Sequence, residues 1–176
     1  MSPYDVNKLS AAQLVQLYWR NFGVPTRLLR YFTVYGSRQR PDMACGRFVR
    51  AILEDRPLKI FGDGEQTRDS TFIDDVVATN LAAGKCTATE IARNIGSGSQ
   101  IGINGVLTFL ARLLGRPLHM RYTHNERGDP LHTLADISQA AELFGYRPRV
   151  PLQGGLAAQV SWTAQTTLMH VRWVWQ

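Results

Sequence analysis

An α/β domain is the fold class this sequence predicts. Short runs rich in β-branched and aromatic residues alternate with amphipathic stretches at helical spacing, and Gly or Pro punctuates the junctions. That alternation over 176 residues argues α/β, with α+β the neighbouring possibility. A domain of this length buries roughly 70% of its unfolded surface, enough for a genuine core. Apolar residues at 44% and charged residues at 19% exclude disordered, collagen-like and coiled-coil chains.

The elements follow in order. The first reads as a helix, with Ser2 as N-cap, Pro3 at its first position, an apolar face of Leu14, Leu17 and Tyr18, and a stop at Gly23 and Pro25. Thr26 to Tyr35 reads as one buried strand ended by Gly36, and a basic loop follows. Phe48, Ile52 and Leu53 mark a short helix through Glu54, and Leu58 to Phe61 is a strand closing on the Gly62-Asp63-Gly64 turn. Thr71 to Ile73 is extended and enters a helix at Asp74 or Asp75 that runs through Ala83. Ile91 to Ile95 is a strand. Asn104 then caps a helix whose face is Val106, Leu107, Leu110, Leu113 and Leu114, ended by Gly115 and Pro117. Leu118 to Thr123 is a further strand, Asp136 or Ser138 to Phe144 a short helix, and Gly155 to Trp162 the last helix.

Several function classes lack support. Cys45 and Cys86 are too few for a disulfide framework and lack metal-type spacing, so they read as small, reduced residues. His119, His124, His132 and His170 show no ligand spacing, and there is no Gly-x-Ser-x-Gly or Walker loop. No metal is expected. No apolar run reaches the roughly 18 to 20 residues of a membrane span, and the first residues do not suit a signal peptide, so a cytoplasmic protein without a membrane partner is expected. The net charge of +6 is carried by seventeen arginines against three lysines, Lys8, Lys59 and Lys85. Arginine's planar fork suits phosphate and carboxylate, but a GC-rich genome produces the same bias, so position must decide.

Tyr4 and Lys8 stand four apart near a helix start, on one face about one turn from each other. An ammonium at that spacing favours the tyrosinate that proton transfer uses. A half-buried tyrosine beside a solvated lysine has the same pattern. The continuation separates the two: Ser2-Pro3-Tyr4 through Lys8-Leu9, Arg30 through Gly36, Arg40-Pro41-Asp42-Met43, Phe61-Gly62-Asp63-Gly64, Thr67-Arg68-Asp69, Asp74-Asp75-Val76, Asn94-Ile95-Gly96, Gly128-Asp129 and Leu143 through Tyr146 occur in that order. The series resembles the NAD-dependent nucleotide-sugar epimerases and dehydratases of the extended short-chain dehydrogenase/reductase family, and the likeness runs to about Trp162.

The resemblance implies the last strands of a Rossmann-like, NAD-binding parallel sheet together with a small C-terminal substrate-binding lobe. It implies Tyr4 as the group that takes or returns the sugar hydroxyl proton and Lys8 as the group that holds the nicotinamide ribose and tunes Tyr4. Tyr31 and Phe32 would lie against the nicotinamide, and Thr33 would face the sugar. Thr-Val-Tyr-Gly followed by Arg-Pro-Asp-Met-Ala resembles the UDP-glucuronate 4-epimerase branch, where Thr33 and Arg40 could hold a C5 carboxylate. Lys59, Ile60 and Phe61 fall on the uracil-contacting strand through backbone groups and an aromatic ring. Arg68 falls on the diphosphate, with Arg47 as a plausible second, and Asp129 orients an arginine or a ribose hydroxyl. Each has a plainer reading, such as core packing for the aromatics, a solvated charge for Arg40 and a surface pair between Arg68 and Asp69.

Gly96-Ser97-Gly98 follows a strand and precedes a helix, as a dinucleotide loop would. Ile101 stands where that fingerprint wants glycine, and no acidic residue lies about 20 positions on, so the stretch reads as structural. In the family a glycine-rich loop after the first strand holds NAD, and this chain opens at the catalytic helix. The expected organisation is therefore residues 1–36 as the end of the NAD-binding domain, 37–162 as mainly substrate-binding with interleaved Rossmann strands, and 163–176 as an atypical tail around Trp173-Val174-Trp175. Such a chain is expected to be inactive alone, its full-length family a homodimer, its partner a UDP-sugar and not nucleic acid. A 4,6-dehydratase or reductase of the same family is the second reading. A non-catalytic module using Arg38, Arg40, Arg47, Arg50 and Arg56 to bind a nucleotide or nucleic acid is the third.

Overall fold

In the computed structural model, residues 3–87, 92–125 and 128–173 are described, with side chains as far as Thr166. Pro3 opens α1 (Pro3–Phe22), where its fixed φ suits the first turn and its missing N–H costs nothing. Gly23, at φ +66°, ends it by donating its N–H to the Trp19 carbonyl at 2.9 Å. No α1 residue is buried, and the anticipated apolar face is about half exposed, Leu14 at 56%, Leu17 at 49% and Tyr18 at 49%. Ser2, the expected cap, lies outside the described residues.

Thr26 to Tyr35 is two strands rather than one. β1 (Leu28–Tyr31) and β2 (Thr33–Tyr35) separate at Phe32, whose N–H donates to the Ile95 carbonyl at 2.9 Å. β1 pairs in parallel with β6 (Ala92–Ile95), whereas β2 pairs in parallel with β5 (Ser70–Phe72). Phe32 is thus where the chain leaves one sheet for another. No breaker residue marks it, because the change of partner is imposed by strands some forty and sixty positions away. Ile91, expected to start β6, lies outside the described residues.

α2 (Ala44–Leu53) packs over β3 (Leu58–Phe61), which pairs in parallel with β8 (Met120–Thr123), two residues shorter than the expected strand. β4 (Thr67–Arg68) runs antiparallel to β7 (Ile101–Gly102). α3 (Ile73–Lys85) follows β5 without a linker, starting one residue before Asp74. α4 (Ile103–Leu114) starts with Gly102, not Asn104, in the cap position; Asn104 Nδ2 instead donates to the Asp63 carbonyl (3.1 Å) and Glu65 Oε1 (2.6 Å), tacking the helix to the Gly62–Gly64 turn. Of the expected α4 face, Val106, Leu107 and Leu110 are buried and Leu114 packs against the core, but Leu113 is 42% exposed. α5 (Ser138–Phe144) matches expectation. α6 (Leu152–Trp173) starts three residues before Gly155 and runs unbroken past Trp162; Val174 and Trp175 lie outside the described residues.

One core joins α2, β3, β5, α4 and α6 through Phe48, Val49, Ile52, Leu58, Ile60, Phe72, Leu107, Leu110 and Leu156. Gly155 permits the closest approach, since a Cβ there would stand 2.3 Å from Tyr35 Oη and 2.7 Å from Phe72 Cδ2. Two buried polar groups fasten the outer elements. Gln159 of α6 accepts from the Gly36 N–H and donates to Gln39 Oε1, while Asp75 of α3 accepts the N–H groups of Arg149 and Val150 just before α6. A buried carboxylate that accepts two backbone N–H groups is a strong fastening, because either donor would be costly to leave unpaired.

Candidate active site

Most of the residues expected at the site fall into three groups, with Phe32, Thr33 and Arg40 apart from them. In the first, α1 and β1 line an open cavity of about 650 Å³ that includes Tyr4, Lys8, Leu9, Ala12, Leu29 and Tyr31. The i, i+4 spacing puts Lys8 Nζ 5.5 Å from the centroid of the Tyr4 ring, so the ammonium lies against the aromatic face. Tyr4 itself is 67% exposed. Burial pushes the Tyr31 phenol above its usual range, and a hydrogen bond with Asn80 partly offsets this. Phe32 does not line this cavity; its backbone N–H is spent on Ile95 at the change of sheet.

The second group is Arg68 with Asp129. The pair spans 61 positions, and Arg68 Nη2 donates to Asp129 Oδ2 at 2.7 Å. Arg68 Nη1 donates to the carbonyls of Thr67 (2.9 Å) and Leu131 (3.1 Å). Those three bonds immobilise the guanidinium and use both Nη1 hydrogens and one on Nη2. The Nε–H and one Nη2–H remain, donors of the kind that hold an oxyanion. The surface pair between Arg68 and Asp69 does not form, because Asp69 is fully buried and faces the other way.

In the third group, Arg47 and Lys59 share a cavity of about 310 Å³ with Arg50 and Arg56. Lys59 Nζ lies 4.6 Å over the Phe61 ring, one strand period away on the same face of β3. Ile60 is 1% exposed, so its side chain belongs to the core and only its backbone could meet a ligand; its carbonyl accepts from Thr123 Oγ1. Thr33 is half-buried on β2 opposite Ser70. Arg40 is turned onto Asp42 by two bonds, Nε to Oδ1 at 3.1 Å and Nη2 to Oδ2 at 2.8 Å, both side chains well exposed. An exposed pair of this kind is worth at most about 1 kcal/mol and exchanges readily for a ligand carboxylate.

Two features were not legible in advance. Asp69 accepts from Ser97 N (2.6 Å), Ser97 Oγ (2.8 Å), Gly98 N (3.1 Å) and Ala135 N (3.1 Å). The Ser97 and Gly98 amides of that turn are therefore spent inside the protein and do not face a phosphate. Asp75, noted only as part of a motif, ties α3 to the segment before α6; acidic residues at a helix start are common for dipole reasons, which hid its role, while the partners of Asp69 lie 28 to 66 positions away. Burial pushes the Cys45 thiol up to about 11, so it is a poor nucleophile. Among the described residues no cluster of three or more His, Cys, Asp or Glu is placed to hold a metal, and no helix is long and apolar enough to cross a membrane.

A sequence model of the NAD dependent epimerase/dehydratase family matches residues 1–96. The chain belongs to that family. It is 38% identical over 165 residues to a UDP-glucuronate 4-epimerase of Thermodesulfobacterium geofontis, covering 94% of this chain and 51% of the relative. Among solved structures, the UDP-glucuronic acid 4-epimerase of Bacillus cereus, in complex with UDP-glucuronic acid and NAD, superposes with a TM-score of 0.90 at 44% identity, over 94% of this chain and 53% of that one. The UDP-glucose 4-epimerase of Thermotoga maritima with UDP-glucose gives 0.91 at 32% identity, over 95% and 55%. The Rossmann-like α/β fold implied by the ordered motifs therefore holds, and this epimerase/dehydratase chain spans about half the length of the relatives it matches.

Proposed function

We propose that this chain carries the proton-transfer and sugar-nucleotide residues of an NAD-dependent epimerase that inverts C4 of a UDP-sugar, with UDP-glucuronate as substrate. The observation that carries it is the cavity where Tyr4, Lys8 and Tyr31 meet, on a chain 44% identical to the B. cereus UDP-glucuronic acid 4-epimerase. A lysine, a phenol and an aromatic wall around about 650 Å³ fit a nicotinamide riboside. The Ser97 and Gly98 amides, committed to Asp69, do not fit its pyrophosphate. When bound, NAD takes and returns the hydride at the sugar carbon.

This chain's residues do the rest. Tyr4 Oη accepts the C4 hydroxyl proton as the carbinol is oxidised and gives it back on reduction, with Lys8 stabilising charge on the ring it covers. Tyr31 limits the nicotinamide's position, whereas Phe32, which the resemblance also placed there, is outside the cavity. Arg68, held by Asp129, offers its remaining N–H edge to the diphosphate. Lys59, Ile60 and Phe61 bind the uracil through β3, Arg47 adds positive charge, and Thr33 with Arg40 binds the C5 carboxylate once Arg40 leaves Asp42.

The test is calorimetry of UDP-glucuronate with the 176-residue chain, and proton NMR of UDP-glucuronate with NAD when the chain is mixed with the remaining half of the T. geofontis relative. Binding by the chain alone is expected without turnover, and UDP-galacturonate is expected from the mixture, abolished by Tyr4→Phe. Retained turnover in Tyr4→Phe, or a product that has lost water, would overturn the assignment.

A further inference from the structure

We propose that Asp69 is a positioning residue that sets the Arg68 guanidinium in register with Asp129, and so governs recognition of the diphosphate. The inference rests on the reading of Arg68 above. Its basis is a ladder in which a side chain stands in for the backbone. Thr67 N donates to the Leu131 carbonyl, Thr133 N to the Thr67 carbonyl and Asp69 N to the Thr133 carbonyl. The next rung would be Ala135 N on the carbonyl of residue 69. The Asp69 carboxylate takes that place, with Oδ2 3.1 Å from Ala135 N.

The same carboxylate closes the turn after β6, through Ser97 and Gly98. It is fully buried, and its two oxygens serve three backbone N–H groups and one hydroxyl. The strip it clamps carries the Leu131 carbonyl, one of three acceptors that fix the Arg68 guanidinium, and begins two residues after Asp129. A shift of that strip moves the Leu131 carbonyl directly and carries Asp129 with it through the one residue between them. Space confirms how closely the junction is built, since a Cβ on Gly96 would lie 2.6 Å from Asp69 Oδ2 and 2.4 Å from the Ala135 Cβ.

Asp69→Asn keeps the shape but leaves one acceptor oxygen for three backbone donors, so at least one N–H faces an amide N–H whichever way the side chain turns. Calorimetry of the 176-residue chain compares UDP with uridine, which lacks the diphosphate. Asp69→Asn is expected to weaken UDP at least fivefold and uridine less than twofold, and to have no further effect on UDP in an Arg68→Ala background. Equal loss for both ligands, or no loss for UDP, overturns the proposal, because a general loosening of the fold does not distinguish them. A wild-type chain that binds neither ligand counts against the functional reading instead. The Arg68 Nε resonance in the ligand-free chain then decides: it moves in Asp69→Asn in the same direction as in Asp129→Asn if the proposal holds, and stays put if it does not.

Discussion

Gly154 and Gly155 are neighbours in the first turns of α6, and the same substitution at each should have opposite signs. Glycine to alanine in a helix stabilises by up to about 1 kcal/mol through lost backbone freedom in the unfolded chain. At Gly154 nothing opposes this, since a Cβ would sit 3.7 Å from Pro151 Cγ, an ordinary contact. At Gly155 the Cβ would stand 2.3 Å from Tyr35 Oη and 2.8 Å from Tyr35 Cε2, and 2.7 Å from Phe72 Cδ2. Tyr35 is 1% exposed and Phe72 7%, so neither ring can swing into solvent. Overpacking of this kind costs about 1 to 3 kcal/mol, and with two rings obstructed the upper half of that range applies. Gly155→Ala should therefore lose about 1 to 2 kcal/mol net and Gly154→Ala gain up to about 1. Urea unfolding followed by circular dichroism reads both as shifts in midpoint at constant slope, and in heat each kcal/mol moves the Tm by about 2 to 4 °C for a chain of this size. If Gly155→Ala stabilised as much as Gly154→Ala, α6 would not press on Tyr35 as described.

Asp75→Ala leaves the N–H groups of Arg149 and Val150 without their buried acceptor and should cost about 1 to 3 kcal/mol, read by thermal unfolding. Arg68→Ala and Asp129→Ala should both weaken UDP binding, the former by about ten- to a hundredfold, as expected for a charge-assisted contact worth roughly 1.5 to 3 kcal/mol; unchanged calorimetric affinity would remove Arg68 from the site. Burial raises the Cys45 thiol and the Tyr35 and Tyr146 phenols, so the unfolded chain ionises first as pH rises. The stability these groups contribute is complete below the usual thiol range and should fall from about pH 9 upward, measurable as a declining urea midpoint. Native alkylation at pH 8 should reach half-exposed Cys86 well before buried Cys45, as mass spectrometry of peptides would show.

Local signals were enough for most element positions. Pro3 and Gly23 bracket α1, Leu58 to Phe61 is β3, and Gly115 at φ +61° ends α4, because each depends on backbone preferences within a few residues. Where the sequence misled, the deciding partner was distant. Thr26 to Tyr35 has uniform strand propensity, yet Ile95 and Ser70 draw its two halves into different sheets. Asn104 has the chemistry of a cap, yet the turn at Asp63 and Glu65 claims its side chain.

The candidate site divides the same way. The order of its motifs pointed to the family the chain belongs to, and Tyr4 and Lys8 need only one helical turn to meet. The resemblance left Asp129 between an arginine and a ribose hydroxyl, and it took the folded chain to pair it with Arg68 across 61 positions while Asp69 turns inward to close the Ser97-Gly98 turn. Adjacent residues of an extended segment point to opposite faces, and which face is buried depends on what the rest of the chain packs against each of them.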